Sequence, residues 1–91
     1  MTLDFYIYHP TKYPDGLILE CKFQDGGGTV DEKLHFTAAS LKGTGKPSFL
    51  LLMGEGFRIS AVQYCLDKQT ARFRVLTSWD QFVRMFNTGP L

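Results

Sequence analysis

Glu20 and Lys22 stand two residues apart in Leu17-Ile18-Leu19-Glu20-Cys21-Lys22-Phe23-Gln24, a run that is otherwise largely apolar. Side chains alternate along an extended strand, so a carboxylate and an ammonium at this spacing leave the same face of a sheet. Holding charge there costs stability unless the groups are paired or have a use. A second carboxylate, Asp4, sits in the preceding strand-like segment, and antiparallel pairing of the two segments sets it beside Glu20. Two hard carboxylates and an amine suit metal-assisted phosphodiester hydrolysis. The carboxylates are expected to hold Mg²⁺, with Mn²⁺ as the alternative, and the backbone carbonyl of Cys21 is a natural further ligand because it lies between Glu20 and Lys22. The metal would lower the pKa of a bound water and neutralise transition-state charge. Lys22 would orient or deprotonate that water, or stabilise charge on the phosphorane. The plainer alternative is a solvated strand face carrying a salt bridge worth little.

The elements that must position these residues are legible from periodicity. Leu3 to His9 reads as a strand, with Asp4, Tyr6 and Tyr8 on one face. Pro10 closes it, and the stretch to Gly16 suits a hairpin loop. Leu17 to Gln24 is the second strand, its odd positions uniformly apolar. Asp25-Gly26-Gly27-Gly28 breaks the chain, and it lacks the trailing Lys-Ser/Thr of a phosphate-binding loop. Thr29 and Glu32 form a capping-box pattern ahead of Val30, Leu34, Ala38 and Leu41 at helical spacing. Ser48 to Met53 suits a strand buried on both faces between parallel neighbours. Ile59, Val62 and Leu66 mark a second helix, Arg72 to Leu76 a short strand, and Trp79, Phe82, Val83 and Phe86 a closing helix, with Trp79 and the two phenylalanines expected in the core. The order ββαβαβα predicts an α/β domain with a mixed sheet, its later strands joined by helical crossovers.

At 91 residues the chain fits one small domain, and 44% hydrophobic with 14% aromatic content describes a packed core rather than a disordered tail. A net charge of +1 gives nucleic acid no compositional support, although catalytic carboxylates would offset a basic rim. Lys12, Lys42, Lys46, Arg58, Arg72, Arg74 and Arg84 are scattered; some could track a phosphate backbone, and the sequence does not say which. Cys21 and Cys65 lack zinc spacing and are expected to be buried apolar side chains. His9 and His35 show no ligand spacing either. No basic leader opens the chain and Phe49 to Met53 is far too short to cross a bilayer, so a cytoplasmic, reducing compartment is the expectation.

Asp4 followed by Glu20-Cys21-Lys22 resembles the active-site signature of the PD-(D/E)xK nuclease superfamily. Gln24 and the later Gly27-Gly28-Thr29-Val30-Asp31-Glu32-Lys33 extend the likeness to the branch with ExKxQ followed by G-(S/T)-V-D-E-K. The resemblance implies a restriction-endonuclease-like core over residues 1–91. It implies that Asp4 and Glu20 bind Mg²⁺ or Mn²⁺, that Lys22 is catalytic, and that Gln24 lines the site. Glu32 and Lys33 would brace the adjoining helix, with a phosphate contact open to Lys33. DNA is the implied substrate, and a homodimer is expected where both strands of a duplex are cut. The alternative is the same fold used without cleavage for DNA binding or subunit assembly.

Two departures stand out. The first ligand sits in Leu3-Asp4-Phe5, whereas the literal Pro14-Asp15 pair falls only five residues before Glu20, too near to face it from a neighbouring strand. The superfamily also places a helix before the first strand, for which the three residues ahead of Asp4 leave no room. A minimal domain, a fragment, or an element supplied by a partner would each account for this.

Overall fold

The computed structural model describes the backbone of residues 2–24 and 30–88, and the side chains of residues 4–24 and 34–87. Four strands and three helices follow one another as β1 (Thr2–His9), β2 (Tyr13–Phe23), α1 (Val30–Gly43), β3 (Ser48–Met53), α2 (Ile59–Asp67), β4 (Phe73–Leu76) and α3 (Trp79–Thr88). The sheet runs β1-β2-β3-β4, with β1 antiparallel to β2 and the other two pairs parallel. This is the mixed α/β architecture and the ββαβαβα order expected, consistent with a restriction-endonuclease-like fold. The capping pattern of Thr29 and Glu32, the glycine run and Lys33 lie outside the described residues or side chains. Among the described residues no helix is long and apolar enough to cross a membrane.

The sheet is packed on both faces. On one, Leu34, Ala38 and Leu41 of α1 and Ala61 and Cys65 of α2 meet Leu50, Leu52, Phe73 and Val75. On the other, Phe82 of α3 closes over Tyr13, Leu17, Leu19, Cys21, Phe49, Leu51 and Leu76. Strand β3 serves both layers, which is why Phe49, Leu50 and Leu51 are all fully buried and the run shows no polar alternation.

Three local expectations differ from the structure. Strand β2 begins at Tyr13, four residues earlier than the proline-rich composition suggests. Tyr13 is buried and its ring lies 5.6 Å from that of Phe86, so core packing draws the chain into the sheet despite Pro14. In α2 the deepest residues are Ala61 and Cys65, while Ile59 is 86% exposed and Val62 and Leu66 are half-buried. Small side chains sit where α2 packs against the core; residue size misdirects a reading by hydropathy. In α3, Phe82 meets Phe49 edge-on at 5.4 Å, but Trp79 is 52% exposed and Val83 is also exposed. The helix thus turns only part of its apolar stripe inward.

Since Leu50 is buried at the centre of β3, Leu50→Ala should lower the unfolding free energy by about 2–5 kcal/mol in urea titration. A loss below about 1 kcal/mol would mean that the site collapses around the void and the two-layer packing is looser than described.

Candidate active site

The hairpin register decides the site. Asp4 pairs directly with Glu20, Thr2 with Lys22 and Tyr6 with Ile18. Residues opposite one another in an antiparallel pair project from the same face, with Cβ atoms about 5 Å apart. Asp4, Glu20 and Lys22 therefore share one face, the face that α1 and α2 cover farther along the sheet. Asp15, the acid of the literal Pro-Asp pair, lies on β2 itself and is exposed.

Exposure grades across the three residues. Asp4 is exposed on edge strand β1, Glu20 is half-buried on β2, and Lys22 is only 7% exposed. Lys22 Nζ lies 3.3 Å from Glu20 Oε2, so the ammonium deep in the face is held against the carboxylate nearer solvent. Both acids act on Cys21, whose side chain points into the opposite core layer. Burial pushes its thiol up, and the negative charges of Asp4 and Glu20 push it further. Only the backbone of Cys21 is left to serve the site face. Gln24 follows the end of β2, half-buried, and its backbone is pinned. Its N–H donates to Met53 O at 3.1 Å, and its carbonyl accepts from Gly56 N–H at 2.6 Å. Gly54, at φ +99°, makes this possible, because a Cβ there would meet Gln24 O at 2.4 Å.

No three His, Cys, Asp or Glu side chains gather at one point among the described residues; the carboxylates opposed on this face are those of Asp4 and Glu20. A pair of hard oxygen donors at a solvent-open edge fits a divalent ion that keeps much of its water and takes further oxygens from a phosphate. His9 is excluded: its Nδ1 accepts from Lys12 N–H at 2.9 Å and shapes the turn. His35 is stacked on Tyr64 at 3.9 Å. Tyr6 follows Asp4 on the same face and was not singled out from the sequence. The available signal was that Tyr6 shares the parity of Asp4.

A comparison with protein families matches residues 1–88 to the PD-(D/E)XK nuclease superfamily domain. The chain belongs to this superfamily, a nuclease class of enzyme. No curated protein and no solved structure gives a significant match.

Two outcomes follow from the electrostatics. Asp4→Asn removes repulsion between directly opposed carboxylates and should raise metal-free stability by about 0.2–1 kcal/mol in urea titration; a loss of stability would show that the acids are not mutually strained. The raised thiols of Cys21 and Cys65 keep the folded state protonated where the unfolded chain ionises. Stability should thus fall as pH rises past the unfolded thiol pKa of about 8.5. Unfolding curves on either side of that pH check the sign, and Cys65→Ala should lessen the fall.

Proposed function

We propose that the protein is a Mg²⁺- or Mn²⁺-dependent endonuclease that hydrolyses DNA phosphodiester bonds. The observation that carries this reading is the direct pairing of Asp4 with Glu20, with Lys22 on the same face and in contact with Glu20. Asp4 and Glu20 would hold the metal, with the Cys21 carbonyl as a further ligand. When bound, the ion acidifies a coordinated water and offsets charge on the phosphate. Lys22 Nζ offers hydrogen-bond donors at a fixed position on the β2 face, where it orients the attacking water and opposes charge gathering on a non-bridging oxygen. Burial limits the side-chain freedom of Lys22, so little reorganisation is needed in the transition state. The water oxygen bonds to phosphorus, the ester P–O bond breaks, and the leaving oxygen takes up a proton. Gln24, two positions beyond Lys22 and tethered through its backbone, lines the same end of the strand. Cutting both strands of a duplex takes two such centres, which a homodimer supplies.

The test is nicking of supercoiled plasmid with Mg²⁺, Mn²⁺ or EDTA, for wild type, Glu20→Ala and Lys22→Met. Metal-dependent nicking should fall by at least about 100-fold in both variants. Lys22→Met should lower the unfolding free energy, because it leaves the Glu20 carboxylate without its cation, so nicking is compared at a temperature where urea titration shows the variant folded. Absence of nicking by pure wild type with either metal would reject the enzyme reading in favour of a DNA-binding or assembly module. Metal binding is read separately from thermal melts. Mg²⁺ at ten times its Kd should stabilise wild type by about 1.4 kcal/mol and leave Asp4→Asn unmoved.

A further inference from the structure

Of the scattered cations, three gather in space. Lys42 at the end of α1, Lys46 in the approach to β3 and Arg72 before β4 line one cleft of about 260 Å³, together with Gly45 and Thr70. Arg72 also lines the adjoining cleft of about 380 Å³, which runs past Asp15 and Gly16. Among the described residues no carboxylate pairs with any of the three. Three like charges on one cleft, without an ion-pair partner among the described residues, repel one another, an arrangement that an incoming anion relieves.

The cleft is joined to the carboxylate pair by Tyr6. Along the hairpin, the Tyr6–Ile18 pair is the next on the same face after Asp4–Glu20. The Tyr6 ring lies across Gly16, where a Cβ would fall 2.0 Å from its hydroxyl oxygen. Tyr6 Oη donates to the Asp15 carbonyl at 2.6 Å, and Lys46 Nζ donates to the same carbonyl at 3.0 Å while standing 5.8 Å from the ring centroid. Lys46 is thereby held toward β1 instead of trailing in solvent. Tyr6 itself is 61% exposed, so the route from Asp4 to Lys46 is open to a large ligand. From the level of Glu20 to that of Gly16 is four residues of strand, about 13 Å, or about four base steps of B-form DNA.

We propose that Lys42, Lys46 and Arg72 form a phosphate-binding track that holds one strand of the DNA substrate on the N-terminal side of β3, with Tyr6 as the residue that positions Lys46. This deepens the nuclease reading and rests on it for the identity of the ligand. The alternative role for Lys42 and Lys46, neutralising the carbonyls at the end of α1, is weakened by two contacts. Thr44 Oγ1 donates to Leu41 O at 2.7 Å, and Lys46 spends its ammonium on Asp15. Lys12 is not part of the track, since it does not line the cleft that the three cations share and its ammonium is turned to the Phe86 carbonyl of α3.

The test separates binding from cleavage. Anisotropy of a short fluorescein-labelled DNA duplex is titrated in EDTA at several salt concentrations. The proteins are wild type, Lys42→Ala, Lys46→Ala, Arg72→Ala and, as a control on the opposite side of the sheet, Arg84→Ala. Each track variant should weaken binding and lower the slope of log K against log salt by about 0.9, with the control unchanged. Lys42 and Arg72 are exposed, so their variants report even if Lys46→Ala perturbs the hairpin. Slopes unchanged in all three, an equal effect in the control, or no binding by wild type would overturn the track. Nicking with unaltered slopes would reject the track and keep the nuclease; altered slopes without nicking would do the reverse.

Discussion

The register of the β1–β2 hairpin is the constraint on which the site depends. Asp4 reaches Glu20 only because the two are directly opposed, and a slip of one residue would send Asp4 to the other face. Nothing in the two acidic side chains enforces that register, since opposed carboxylates repel. The apolar residues of β2 do so instead: Leu17, Leu19 and Cys21 must face the α3 layer, which commits Ile18, Glu20 and Lys22 to the other side. Tyr13 adds an anchor at the turn end through Phe86, and Gly16 lets the Tyr6 ring cross the hairpin. The core thus holds together charges that would separate if free.

The same division explains the gradient of exposure across the site. Lys22 is deep because β2 is flanked by β1 and β3, and its neighbours on β3 are fully committed to packing. Asp4 is open because β1 is an edge strand whose Phe5, Tyr6 and Tyr8 are also exposed. A metal-binding pair needs solvent and substrate on one side and a fixed cation on the other, and the edge of a mixed sheet supplies both. The ion pair of Lys22 with Glu20 belongs to this arrangement as a positioning device more than a source of stability, since burying two charges costs about what their attraction returns.

How much was legible beforehand varies by residue. The triad was readable because Glu20 and Lys22 break an apolar run with period two and because the first strand offers a single acid, Asp4. Element order was readable from glycine and proline punctuation and from the two hydrophobic periods. The inward face of α2 was not: Ala61 and Cys65 carry little hydropathy, and only the close approach of the helix to the sheet gives them the core in preference to Ile59. The start of β2 was hidden by Pro14, whose local preference for a turn yields to the burial of Tyr13. Trp79 looks like core from the sequence, yet α3 covers the sheet with Phe82 and leaves it outside.

The sequence by itself determined the α/β class, the resemblance to the superfamily and the candidate acids and lysine, because these rest on residue type, on hydrophobic period and on a short motif. It could not determine which of the dispersed cations come to line one cleft. Lys42, Lys46 and Arg72 lie up to 30 positions apart, at the end of α1 and in the approaches to β3 and β4, and none occupies a spacing that local geometry makes meaningful. Their convergence is a product of the parallel β2–β3–β4 pairing, which brings the entries of successive strands to one end of the sheet. Long-range strand pairing is set by burial of both faces at once, a property of the assembled layers that no local stretch of chain contains.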